Sequence, residues 1–174
     1  ALSTGMVEQP FSRPDFQESF QYLPDYLEFD WKNGAERVSK TKLSDFYKAH
    51  SAWMFNMVGK VHEAGIDIMA GTDCPIFFLT PGRSLHEELS VLVKAGLSPL
   101  EAIKSATLNP ARYFGMEDEL GSIKENMWAD LLILNANPLE DINNSLSIES
   151  VIREGKLYDR KALDAMLEKL DNTN

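Results

Sequence analysis

Residues 64–74 read AGIDIMAGTDC, and the apolar run Ile66–Ala70 passes through Gly71 and Thr72 to a carboxylate, Asp73. An acid at the end of an apolar strand has two uses. It can cap the next turn, or it can hold a reacting group, in which case it needs partners. The chain has three histidines to offer. His50 and His62 stand twelve residues apart on one expected helix, a spacing that makes no metal pair, and both read as structural. His62 falls in the helix's last turn, where an imidazolium gains from the dipole. His86 follows a helix start beside Glu87 and Glu88, whose spacing is that of a cap and a solvated face rather than of an acid–base dyad. Cys74 is the one cysteine; it excludes an internal disulfide and reads as a small apolar side chain. Thr72 is expected to bond locally.

The elements that position these residues follow from the punctuation. Residues 1–42 are expected to be the least regular part. They are dense in aromatics, with one short helix over Phe16, Phe20 and Leu23 stopped by Pro24. Ser44 opens a helix with an apolar face of Trp53, Met54, Met57, Val58 and Val61, closed by Gly65. A five-residue strand, Ile66–Ala70, follows in the manner of a buried parallel strand. Ser84 and Glu87 have the spacing of a capping box for a helix ended by Gly96. Ser98, Pro99 and Glu101 open a second helix with a capping box and an N1 proline. Asn109 and Pro110 open a third, stopped by Gly115. Beyond it the period falls to two. Gly121–Lys124 and Ala129–Leu134 read as strands around Asn126. Val151–Arg153 and Lys156–Tyr158 read as a hairpin turning at Glu154–Gly155, and a last amphipathic helix carries Leu163, Met166, Leu167 and Leu170.

Composition narrows the function. The 174 residues are 44% hydrophobic and 25% charged, with a formal net charge of -10, an ordinary globular balance. So acidic a chain is a poor partner for nucleic acid, and no apolar run reaches the ~20 residues that span a bilayer. No basic segment followed by an apolar one opens the sequence, so no signal peptide is expected there, although residue 1 is Ala. One cysteine suits a reducing, cytoplasmic compartment.

The stretches 64–73, LHEELSVLVKAGLSPLEAIKSATLNPARYFG (85–115), LGSIKENMWADLLILNANPLEDI (120–142) and VIREGKLYDR (151–160) together resemble the C-terminal part of the amidohydrolase superfamily. Within it, the branch of imidazolonepropionases and prolidase-like carboxypeptidases is the most similar. The resemblance implies an α/β protein. Residues 1–118 would be the end of a (β/α)8 barrel with Ile66–Ala70 as strand eight, 119–159 part of a small β-sandwich, and 160–174 a C-terminal helix. It also implies that Asp73 sits at the barrel mouth, where such folds keep their chemistry, as a metal ligand and as the base for the activated water. From its position past a helix start, His86 either faces the same mouth and touches substrate or is a surface or capping histidine. The implied cofactor is a divalent metal, zinc, and the implied substrates are small amides, cyclic amides or peptides cleaved at a C–N bond.

Two features stand against a complete enzyme. A barrel of this kind takes eight strands and about 250 residues, whereas one strand is evident here and a second is conceivable only at Gly5–Val7. The family's His-x-His signature is absent from the sequence, and a zinc site needs three or four protein ligands. The expectation is therefore a C-terminal part, inactive alone, that oligomerises or pairs with a missing N-terminal half. The alternative is a non-catalytic module of the same descent acting in assembly. A plain helical binding domain with a hairpin tail ranks last.

Overall fold

The computed structural model describes residues 9–76 and 78–171; the strand considered at Gly5–Val7 lies outside them. The first unit is more regular than its sequence suggests. A 3-10 turn at Pro10–Ser12 leads into α1 (Pro14–Gln17), a second 3-10 turn (Glu18–Tyr22) and α2 (Asp25–Ser39). Pro24 stops the first segment as expected, but it also stands at the N-cap of α2, where its fixed φ starts a helix. Asp25 and Glu28 in the first turn suit the positive end of the dipole. Phe11, Phe16, Phe20, Leu23, Trp31 and Ala35 form a buried cluster, with Leu27, Val38 and Phe78 packed on it. Its rings meet edge to face, Phe20 on Trp31 at 5.8 Å and Trp31 on Phe78 at 6.0 Å, a geometry aromatic pairs favour.

α3 (Asp45–Glu63) begins at Ser44, whose side chain accepts from the Tyr47 amide, and ends before Gly65 in a left-handed conformation. Its apolar face is covered only in part: Val58 packs on the second core, while Trp53 is 54% exposed and Met57 39%. Phe46, His50 and Trp53 instead line up along the helix with centroids 6.0 Å apart. One close contact fixes α3: a Cβ on Gly59 would lie 2.6 Å from the Ala95 carbonyl oxygen. Gly59→Ala therefore forces α3 off its neighbour, at about 1–3 kcal/mol. Urea unfolding should show a lower midpoint at unchanged slope, and an unaltered midpoint would contradict the packing.

α4 (Arg83–Lys94), α5 (Pro99–Ser105) and α6 (Leu108–Tyr113) carry the second core, in which Leu89, Leu92, Leu97, Ala102 and Ile142 are buried. The α5 capping box is present as expected, with the Ser98 hydroxyl accepting from the Glu101 amide and the Glu101 carboxylate from the Ser98 amide. Two other helix starts differ. α4 is capped at Gly82, not Ser84. Ser84 lies inside the helix and donates to the Thr80 carbonyl at 2.7 Å, so the Ser84–Glu87 capping box does not form. α6 starts after Thr107, which leaves Asn109 inside its first turn.

Among the described residues the strands are β1 (Leu131–Leu134), β2 (Ile148–Arg153) and β3 (Lys156–Tyr158), an antiparallel sheet in that order with an irregularity between Ile133 and Leu134. The hairpin turns through left-handed Glu154 and Gly155, and Asn126 is left-handed as expected. The strand expected at Gly121–Lys124 is not one. Gly121 is pressed into the α5–α6 corner, its would-be Cβ 2.9 Å from the Thr107 carbonyl, and this contact takes the place of a ladder. α7 (Arg160–Asp171) closes the described chain.

Candidate active site

The segment that carries Asp73 is extended but unpaired. Among the described residues no strand hydrogen-bonds to Ile66–Ala70, so it is not a strand in the sense the sequence led us to expect; a ladder needs a neighbour, and the described residues bring none. Ile68 and Ala70 pack on the second core, whereas Ile66 is 57% and Met69 44% exposed. Two bonds tether it to the α5–α6 corner: the Ala70 amide donates to the Ser105 carbonyl and the Asn109 Nδ2 donates to the Ile68 carbonyl, both at 2.9 Å.

Asp73 follows with φ 58°. This is the left-handed region, sparsely used by non-glycine residues although Asp tolerates it, and such residues cluster at functional sites. Its carbonyl accepts from the Ile76 amide at 3.3 Å. No hydrogen bond or ion pair engages its carboxylate among the described residues, and the residue is exposed. The side chain is thus not spent on capping. Thr72 bonds locally, accepting from the Cys74 amide at 3.2 Å, and the Cys74 thiol donates to the Leu79 carbonyl at 3.0 Å.

His86 lies half-buried on α4 with Nδ1 2.9 Å from the buried Ser145 hydroxyl, which ties the helix to the turn at Ile142–Leu146. Burial lowers its pKa and the Arg83 charge adds to this, while Glu87 opposes both. The fold therefore favours the neutral imidazole over the charged one. Between its lowered value and the ~6.5 of a free imidazole, the unfolded chain binds more protons. The contribution is complete above pH ~6.5 and is lost as pH falls through the folded value. His86→Gln should therefore shrink the drop in urea midpoint between pH 7.5 and 5.5; an equal drop in both proteins would contradict this. The difference isolates His86 from Glu88, whose raised pKa acts in the opposite sense.

Glu87 and Glu88 depart from a solvated face. Glu87 accepts from Arg13 at 2.5 Å and from Arg83 at 3.1 Å, joining the N-terminal unit to α4. Glu88 is half-buried; burial raises its pKa and the facing Gly71 amide opposes the rise. It stands beside the loop of Asp73, a closeness that one-dimensional spacing does not reveal. His62 is structural, as its place in the helix's last turn suggests: Nε2 lies 3.2 Å from Glu101. The Glu101 carboxyl is held below its usual range by the Ser98 hydroxyl and amide, and further by His62.

A cleft of about 210 Å³ is lined by residues that include His62, Ile66, Glu101, Lys104, Asn109 and Arg112, and by none of 71–74. It opens at the other end of the segment from Asp73. Among the described residues no three His, Cys, Asp or Glu side chains gather where a metal could be held. A zinc ion takes three or four protein ligands, so the described residues do not fit one by themselves; Asp73 offers one unengaged carboxylate. Among the described residues no helix is long and apolar enough to cross a membrane.

An extended apolar segment ending in an unengaged aspartate is thus backed by helices and followed by a small antiparallel sheet. Residues 32–158 match the amidohydrolase family, and the chain belongs to it. It is 38% identical over 101 residues to an ochratoxinase of Aspergillus niger, a match that covers 55% of this chain and 20% of that enzyme. Phenylurea hydrolase B is 33% identical with a TM-score of 0.55, over 62% of this chain and 27% of its own. A bottromycin amidohydrolase shares the fold over 99% of this chain and 38% of its own, with a TM-score of 0.70 at 21% identity. The chain thus spans about a fifth to two-fifths of the length of these relatives.

Proposed function

We propose that this chain is the C-terminal part of a hydrolase of C–N bonds, acting on a small amide, cyclic amide or peptide once further chain precedes it. The observation that carries the reading is the segment Ile66–Ala70. It is apolar at four of its five residues, packs on the second core through Ile68 and Ala70 while Ile66 and Met69 stay exposed, has no strand partner among the described residues, and delivers Asp73 with its carboxylate unengaged. Largely apolar runs of this length belong inside parallel sheets or barrels, where neighbouring strands pair them. In this reading 1–118 ends a (β/α)8 barrel, 119–159 belongs to a β-sandwich and 160–174 is a terminal helix.

Asp73 is the working residue. It contributes one ligand to a divalent metal, zinc by family expectation, with the other ligands on the preceding chain. It also moves the proton: as water oxygen bonds to the carbonyl carbon and the C–N bond breaks, Asp73 takes the water proton and passes it to the leaving nitrogen. His86 stands on the substrate side of the same mouth, its ring orientation set by Ser145. The exposed Trp53, Met57, Ile66 and Met69 are covered by the preceding half or by a second copy. Reading the encoding DNA upstream of Ala1 tests this. An open frame bearing His-x-His is expected, and a start codon at the boundary would contradict it. The absent His-x-His favours one competitor, a non-catalytic module. C–N hydrolysis by the purified chain alone, lost in Asp73→Ala, would overturn the assignment of the remaining ligands to another segment.

A further inference from the structure

The segment that ends in Asp73 lacks a strand neighbour and is nevertheless held at two points of one edge. In an extended chain, alternate residues present their backbone groups to the same side, so Ile68 and Ala70 share an edge. There the Ala70 amide finds the Ser105 carbonyl and the Ile68 carbonyl finds the Asn109 side-chain amide, each at 2.9 Å. The acceptor comes from the C-terminus of α5 and the donor from the first turn of α6. Together they imitate one acceptor and one donor of a neighbouring strand.

The corner that does this is itself braced. Ser105 is fully buried, its hydroxyl turned back to the Ala102 carbonyl at 2.6 Å. Gly121 sits against Ala111, Thr107 and Leu108 so tightly that a Cβ would lie 2.8 Å from Ala111 Cβ. Asn109 is thus a rigid donor rather than a surface amide. Asp73 is three residues beyond the last tether.

We infer that Asn109 is a positioning residue: its amide, acting with the Ser105 carbonyl as a substitute strand edge, sets the register of Ile66–Ala70 and so the place of the Asp73 carboxylate. The inference rests on the reading of Asp73 as the working group, but its structural half is testable without it. Asn109→Asp keeps the shape and replaces the donor by an acceptor facing the Ile68 carbonyl. Asn109→Ser removes the amide without adding charge, and serves if the first variant does not fold.

Backbone residual dipolar couplings of the chain should change at Gly71–Cys74 in either variant, beyond the local change at 105–112. Couplings at 71–74 identical to those of the unaltered chain would overturn the inference. In the longer protein, kcat should fall about ten- to a hundredfold with KM within about twofold, the usual penalty for a displaced catalytic group. An unchanged kcat, or a loss confined to KM, would overturn it as well. If the unaltered longer protein cleaves no C–N bond, the hydrolase reading fails, and the couplings still decide whether Asn109 positions this loop.

Discussion

Phe20→Ala is expected to remove about 3–5 kcal/mol of stability, the range for deleting a fully buried aromatic ring. Phe20 is wholly buried and meets Phe16 at 6.2 Å and Trp31 at 5.8 Å, joining α1 to α2. This cluster is separate from the one beneath Asp73. The loss should therefore appear first as melting of the N-terminal unit, read from the tryptophan fluorescence of Trp31 in a Trp53→Phe, Trp128→Phe background. A change under 1 kcal/mol would mean that the aromatics of residues 11–31 do not form a core. Chain domains hold only about 5–15 kcal/mol in all, so the variant is expected to be near its folding limit.

The second large effect is chemical. Asp73→Ala in the longer protein should lower kcat/KM by at least 10²–10⁴, the usual worth of a positioned proton-transfer group. For the chain by itself the melting temperature should fall only by the strain of an alanine at φ 58°, because the carboxylate makes no bond within the described residues that folding would miss. Asp73→Asn keeps the size and the left-handed backbone preference while removing the base, and should be as inactive. Activity within tenfold of the unaltered protein in either variant would exclude Asp73 from the reaction.

The sequence and the fold agree where local chemistry decides. Ser44, Gly65 and the Ser98–Glu101 box mark helix ends in both, because a cap is made by residues three apart. The Glu154–Gly155 hairpin agrees for the same reason. α2 was legible in principle: Leu27, Trp31, Ala35 and Val38 recur at helical spacing, but Pro24 read as the end of one helix and hid the start of the next. The Ser84–Glu87 box has the right spacing and fails because Thr80 and the arginines at 13 and 83 are better partners for those side chains. Long-range contacts decided the rest. Nothing local shows that Gly121 meets Thr107, that Glu88 faces Gly71 or that Asn109 reaches Ile68. Ile66–Ala70 has the composition of a buried strand, but strand pairing belongs to two segments, and only one is on the described chain. Asp73 stands out in the sequence because an acid there ends an apolar run.

The measurement that bears most directly on the account is the metal content of the longer protein, beside its Asp73→Ala variant, by elemental analysis after gel filtration. The account predicts a near-stoichiometric divalent metal in the first and its loss in the second. Equal metal in both, or none in the unaltered protein, would contradict the placing of Asp73 at a metal-dependent hydrolytic centre.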